Sequence, residues 1–124
     1  MDLMEIFKDS DDLVEFPAGT VIVEEGAEGD CMYVVIEGEA VISLFDKVFA
    51  TALPGEIVGE MALINSDIRS ATVMAKTDCR LAIIDRSSFE SLIRNVPDFT
   101  RHVMNVLANR LQVAFEMIEN NGVD

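Results

Sequence analysis

The stretch Val58-Gly59-Glu60-Met61-Ala62-Leu63-Ile64-Asn65-Ser66-Asp67-Ile68-Arg69-Ser70-Ala71-Thr72 brings together a glycine, a carboxylate, a one-turn helical segment and an arginine just before a strand. A helical turn opening at Glu60–Leu63 has backbone amides with no intrahelical partner, and such amides favour an anion. Gly59 removes the side chain that would hold a ligand off the backbone. Arg69 supplies a planar guanidinium that gives phosphate oxygens two parallel hydrogen bonds, where lysine gives only a point charge. Glu60 repels phosphate but accepts hydrogen bonds from a neighbouring sugar hydroxyl. The expected ligand is a nucleotide with a single phosphate charge, held by Gly59, Glu60, Met61, Ala62, Leu63 and Arg69. Ser70, Ala71 and Thr72 then open a strand that would face the base. Plainer roles compete: Arg69 as a salt bridge to Asp67 two residues earlier, and Glu60 as a solvated turn carboxylate.

Two styles of chain position these residues. Six of the seven glycines lie between residues 19 and 59, where short β-rich runs alternate with turn chemistry such as Glu25-Gly26-Ala27-Glu28-Gly29-Asp30. Strands are expected at 20–23, 32–36, 40–44, 48–53, 70–75 and 80–84, with a turn at Phe45-Asp46-Lys47. About eight short, evenly spaced strands make a sandwich or jelly-roll barrel. Leu3, Ile6, Phe7 and Leu13 suggest a short N-terminal helix interrupted by the acids of 9–12. Asp85 or Ser87 can cap a helix over 88–95, and Ser87 with Glu90 matches a capping box. Pro97 stops that helix and opens the longest one, to about Asn120, with Gly122 placed as its C-terminal cap.

The long helix carries two apolar stripes, Phe99, Val103, Val106 and Val113 on one side and Met104, Leu107, Leu111, Phe115 and Ile118 on the other. One stripe suffices for a helix wet on one face. The second is expected to cover the barrel, close over a ligand or pair with the same helix of a second chain. Leu107, Arg110 and Leu111 are the candidate lid residues, with a solvated face as the plainer role for Arg110, and His102 reads as exposed and without function.

At the cassette 58–72 the sequence resembles the cyclic nucleotide-binding domain family, whose phosphate-binding cassette reads roughly Phe-Gly-Glu-Leu-Ala-Leu, a short spacer, then Pro-Arg-Ala-Ala-Thr. Gly59, Glu60, Ala62, Leu63, Arg69, Ala71 and Thr72 match, with the spacing of kinase regulatory subunits and cyclic nucleotide-gated channels. The turns at 16–19, 25–33 and 37–38 are similar too, so the resemblance covers residues 12 to about 112. Val58 stands where an aromatic is common and Ile68 replaces the proline before the arginine. The resemblance implies a mainly β fold, an eight-stranded antiparallel β-roll with a short N-terminal helix and two C-terminal helices. It implies one domain over 1–124: N-terminal helix 1–14, β-roll 15–85, and hinge with lid or dimer helices 86–121. It also implies that cAMP or cGMP is the ligand and that no other cofactor is needed. Glu60 then holds the ribose 2′-hydroxyl, Arg69 the cyclic phosphate, and the amides near Ala62 and Leu63 an exocyclic oxygen, and Ser70, the hydroxyl just after the arginine, is implied as a selectivity candidate that can accept from the 2-amino group of guanine. Alternatives are a nucleotide-free β-roll interaction module, or the excised effector domain of a larger transcription regulator, kinase or channel.

Composition excludes much else. With 9 Lys and Arg against 23 Asp and Glu the formal charge is −14, which repels bare duplex DNA. The acids crowd residues 1–60, with 15 acids against 2 bases, while 61–124 hold 8 against 7; an anion site therefore belongs in the second half. No apolar run approaches the roughly 20 residues of a membrane span, and Met1-Asp2-Leu3-Met4-Glu5 lacks a basic signal-peptide start, so a cytoplasmic protein is expected. Cys31 and Cys79 sit in apolar surroundings and are expected to be buried, reduced thiols. A single histidine argues against a multi-imidazole metal site, no catalytic constellation is visible, and without a helix-turn-helix within the 124 residues a DNA-reading role is not expected of them. The expected role is a non-enzymatic sensor signalling to an effector protein, with its C-terminal helix as the candidate surface for a homodimer.

Overall fold

Eight strands pair into two four-stranded antiparallel sheets in the computed structural model, which describes residues 1–121. The strands are β1 (Leu13–Phe16), β2 (Val21–Val23), β3 (Cys31–Glu37), β4 (Ala40–Leu44), β5 (Lys47–Ala52), β6 (Ile57–Val58), β7 (Thr72–Ala75) and β8 (Cys79–Asp85). One sheet runs β1-β8-β3-β6 and the other β2-β7-β4-β5, the expected eight-stranded antiparallel β-roll. Helices α1 (Leu3–Phe7), α2 (Arg86–Asn95) and α3 (Pro97–Asn121) flank it, and a five-residue π-helix spans Ala62–Ser66.

The unbroken apolar run of β3 follows from what covers its two faces. Met32, Val34 and Ile36 pack with Leu3, Ile57, Ala82, Ile84, Phe89, Phe99 and Val103, between the first sheet and the helices. Val35, with Val58 and Leu81, faces the other way into the core between the sheets, against Val23, Ile42 and Val73. A strand wet on one face alternates apolar and polar residues; β3 has no wet face and does not.

Two helix boundaries and one strand boundary differ from the sequence expectation in ways that bear on the site and the core. Leu13 does not belong with the N-terminal helix: α1 ends at Phe7, Ser10 donates its amide to the Phe7 carbonyl at 3.0 Å, and Leu13 opens β1 opposite Ala82. The sheet edge of β8 offers Leu13 a full ladder, which outweighs its helical spacing from Phe7. Helix α2 starts at Arg86 because the Asp85 carboxylate accepts the Ser88 amide at 2.8 Å. This cap, whose hydrogen bonds hold the Asp85 carboxyl below its usual range, leaves Ser87 inside the helix and no Ser87–Glu90 capping box. Strand β7 begins at Thr72, so Ser70 and Ala71 lie in the connection before it. The proposed cap Gly122 lies outside the described residues.

Helix α3 is anchored at its start and projects at its end. Phe99 and Val103 are fully buried, and the Phe99 ring meets Phe89 edge to face at 6.0 Å. Met104, Leu111, Val113, Phe115 and Ile118 remain exposed, so the two stripes are not both barrel packing. His102 is half-buried, not exposed, and its Nε2 is enclosed without a hydrogen-bond partner. Burial pushes its pKa down from 6.5, the N-terminal ammonium adds to this, and Glu56 opposes it. Below about pH 6.5 the unfolded chain then takes up a proton that the fold resists, so stability falls as pH drops through that window. Comparing urea midpoints at pH 7.5 and 5.5, His102→Asn is expected to show a smaller acid-side loss than the natural chain; equal losses would remove His102 from this role.

Candidate functional site

A cavity of about 370 Å³ opens between the second sheet and α3. Its sheet wall is Val23, Ile42 and Val73, neighbours across β2, β7 and β4, together with Phe49. Leu107, Arg110 and Leu111 form the helix wall, and Gly59, Glu60, Met61, Ala62, Arg69, Ser70 and Ala71 the cassette side. Of the residues the sequence assigns to the site, Leu63 and Thr72 are not brought to the cavity. The Leu63 side chain belongs to the helix-facing core, and its amide donates to the Glu60 carbonyl at 3.0 Å instead of standing free for a ligand. Thr72 faces Glu25, accepting that residue's amide at 3.2 Å and lying 3.5 Å from its carboxylate.

Arg69 is buried to 8% exposure. Its main chain pairs with the 26–29 turn: it accepts the Gly26 amide at 2.9 Å and donates to the Ala27 carbonyl at 2.8 Å. Its Nη1 donates to the carbonyls of Cys31 at 2.6 Å and Gly59 at 2.8 Å, and Nη2 lies 3.6 Å from Cys31 Sγ. Among the described residues no carboxylate comes within ion-pair distance of it. The expected competitor Asp67 pairs with Arg86 instead. Two glycines admit the guanidinium: a Cβ on Gly29 would sit 2.2 Å from Nε, and one on Gly59, at φ +79°, 2.9 Å from Nη1. Gly59 thus makes room for the arginine itself, a tighter demand than ligand approach.

Glu60 is no solvated turn carboxylate, being only 3% exposed. Its Oε1 accepts from Arg110 Nη1 at 2.8 Å, and Arg110 Nη2 donates to the Ile57 carbonyl. Its Oε2 is buried without a hydrogen-bond partner among the described residues. Arg110 therefore lies inward across the cavity, and the solvated-face role for it is wrong. Nothing in the sequence pattern points to Phe49, to Gly29, or to the Cys31 and Ile57 carbonyls, since backbone acceptors are present at every residue and the fold alone selects among them. Cys31 is half-buried beside Arg69 and not a core thiol, whereas Cys79 is buried and its thiol pKa pushed up by desolvation. Both are unpaired. Among the described residues no group of three or more His, Cys, Asp or Glu could hold a metal, and no helix is long and apolar enough to cross a membrane.

An anion-receptive buried arginine, a half-satisfied carboxylate and an apolar slot fit the resemblance carried by the cassette motif, and the family model for the cyclic nucleotide-binding domain matches residues 13–96. The chain belongs to the cyclic nucleotide-binding domain family. Over 97 residues this domain is 38% identical to a cAMP-dependent protein kinase regulatory subunit of Aspergillus fumigatus, an overlap of 75% of this chain and 23% of that protein. It is 28% identical over 112 residues to the cAMP-activated global transcriptional regulator CRP of Salmonella typhimurium, covering 86% of this chain and 53% of the regulator. The solved structure of cAMP-bound PfPKA-R superposes with a TM-score of 0.76 at 34% identity, covering 94% of this chain and 41% of the other. The chain thus spans from about a quarter to about half the length of these relatives.

In this cyclic nucleotide-binding domain the glycine cradle is directly testable. Gly29→Ala forces the added methyl or the guanidinium aside, an overpacking that costs about 1–3 kcal/mol. Urea denaturation should show that loss, and an unchanged midpoint would mean that Arg69 is not seated between the glycines.

Proposed function

We propose that this chain binds cAMP or cGMP and signals occupancy to an effector protein through α3. The observation that carries the reading is Arg69, a buried cation with no carboxylate partner among the described residues. A buried charge is costly unless a counter-charge compensates it, and the two exocyclic oxygens of a cyclic phosphate supply one that a guanidinium can meet with paired hydrogen bonds. Glu60 Oε2 supports the same reading, as a buried acceptor in want of a donor that a ribose 2′-hydroxyl provides. Met61 and Ala62 flank the phosphate end, with the exocyclic oxygen near the Ala62 amide. The base lies between the Val23–Val73–Ile42 wall and Leu107–Leu111, with Ser70 and Ala71 at its edge. Ser70 favours guanine modestly.

Arg110 already bridges α3 to Glu60, so the helix that carries the lid residues Leu107, Arg110 and Leu111 shares, through Arg110, a carboxylate with the ligand's sugar. A ligand that binds better with the helix in place stabilises that position, and the break at Val96-Pro97 supplies the hinge. The exposed Met104, Leu111, Phe115 and Ile118 then present an apolar stripe for a partner protein or for the same helix of a second chain. The overlap with kinase regulatory subunits and CRP supports a regulatory, non-catalytic part, whether the domain acts alone or within a larger protein. The free cysteines favour a cytoplasmic setting, and the charge of −14 argues against contact with DNA.

Calorimetry with cAMP and cGMP tests the site. Arg69→Ala should weaken binding by about 3–5 kcal/mol, two to four orders of magnitude, and Glu60→Gln by about 1–3 kcal/mol, matched by a 2′-deoxy ligand on the natural chain. Less than a tenfold loss in a folded Arg69→Ala variant would overturn the assignment.

Truncation after Asn105 removes Leu107, Arg110 and Leu111 but no strand. It should leave the roll folded and weaken binding by about tenfold or more, given about 1.5 kcal/mol for each leucine side chain taken from the wall. Unaltered affinity would make α3 a passive wall.

A further inference from the structure

Asp67 stands two residues before Arg69, in a left-handed turn at φ +60° that ends the π-helix. An aspartate so close to a guanidinium is its natural partner, and a phosphate arriving at Arg69 would have to displace it. The fold prevents this pairing. The Asp67 carboxylate takes Arg86 Nη2, and the same guanidinium lies 3.4 Å from the Ala62 carbonyl and 3.5 Å from that of Leu63. The main chain around Asp67 is tied down as well: its carbonyl accepts the Gly29 amide at 2.8 Å, and Glu28 and Ile68 form an isolated antiparallel bridge. The two side chains thereby leave the loop on different sides. Arg69 lines the inner cavity, while Asp67 and Arg86 line an outer depression with Glu28, Gly29 and Asp30.

We propose that Arg86 is a positioning residue for the anion site: it holds the Asp67 carboxylate on the outer side of the cassette and so keeps Arg69 available to phosphate. The inference rests on reading the cavity as a cyclic nucleotide site. Arg86 is the first residue of α2, so the start of that helix and the ligand's anchor are linked through a single loop. Asp67 is largely solvent-exposed, which screens its attraction for Arg69; the effect on affinity is therefore moderate, about tenfold.

The test is a double-mutant cycle on the full chain, titrating cAMP into the natural protein, Arg86→Gln, Asp67→Asn and the double variant. Arg86→Gln should weaken binding by about tenfold, because the freed carboxylate competes for Arg69. Adding Asp67→Asn should restore affinity to within about threefold of the Asp67→Asn single variant, itself at least as tight as the natural chain. If the double variant stays as weak as Arg86→Gln, or if Arg86→Gln binds normally, the inference fails. A nucleotide-free readout separates this from failure of the site reading. The Arg69 Nε–Hε NMR signal should shift in Arg86→Gln and return in the double variant. An unmoved signal overturns the inference even if nucleotide binds, whereas absence of binding by the natural chain with the signal behaving as described sinks only the nucleotide reading.

Discussion

The site is organised around a guanidinium that the fold buries without giving it a carboxylate from among the described residues. Removing such a charge from water costs several kcal/mol unless its donors are met, and the chain meets them with neutral acceptors, the carbonyls of Cys31 and Gly59. Much of the local architecture answers that demand. Strand β3 must begin at Cys31 so that its first carbonyl faces inward, residues 29 and 59 must lack a Cβ, and the loop carrying Arg69 must be clamped to the 26–29 turn by paired backbone bonds. Neutral carbonyls solvate a cation without cancelling its charge. Arg69 thus keeps its positive charge inside a strongly acidic protein, and the acid-rich first half contributes to the cavity two backbone acceptors for it and one carboxylate, Glu60, which Arg110 pairs.

The second buried ion, Glu60, is compensated differently. Arg110 reaches it from α3 and uses one carboxylate oxygen, leaving the other unmet. A buried ion pair of this kind adds little net stability over apolar packing, while losing one partner is expensive. Its consequence is geometric: α3 is held where Leu107 and Leu111 form a wall, and breaking that position would leave Glu60 uncompensated. The helix is therefore coupled to the cassette through one carboxylate whose remaining acceptor capacity is open.

Much of this was legible in the sequence because the chemistry lies in consecutive residues. Gly59, Glu60 and Arg69 stand at fixed spacing in one stretch, and the glycine-rich first half marks the turns of a roll. What was not legible depends on contacts between distant segments. Leu13 has the spacing of a helical residue and is a strand residue only because β8 offers it an edge. Arg110 looks like any charged helix residue until α3 is laid across the cavity, and Asp67 looks like a rival for Arg69 until Arg86 is brought 19 positions back to meet it. Leu63 and Thr72 match the family pattern yet serve the core and the Glu25 turn, so a matching residue in a motif need not line the cavity.

The two-sided burial of the first sheet joins these parts. Residues on β3 alternate between the core shared with the second sheet and the core shared with the helices, and Leu63, one residue beyond the cassette's cavity face, packs into the helix-side core with Phe89, Phe99 and Val103. The π-helix therefore has one side on the cavity, through Ala62 and its cap residue Met61, and another on the helices, through Leu63 and the Arg86 contact. A close-packed interior shifts as discrete pieces and does not deform continuously, so the cassette and the packing of α2 and α3 form one mechanical unit joined at Leu63.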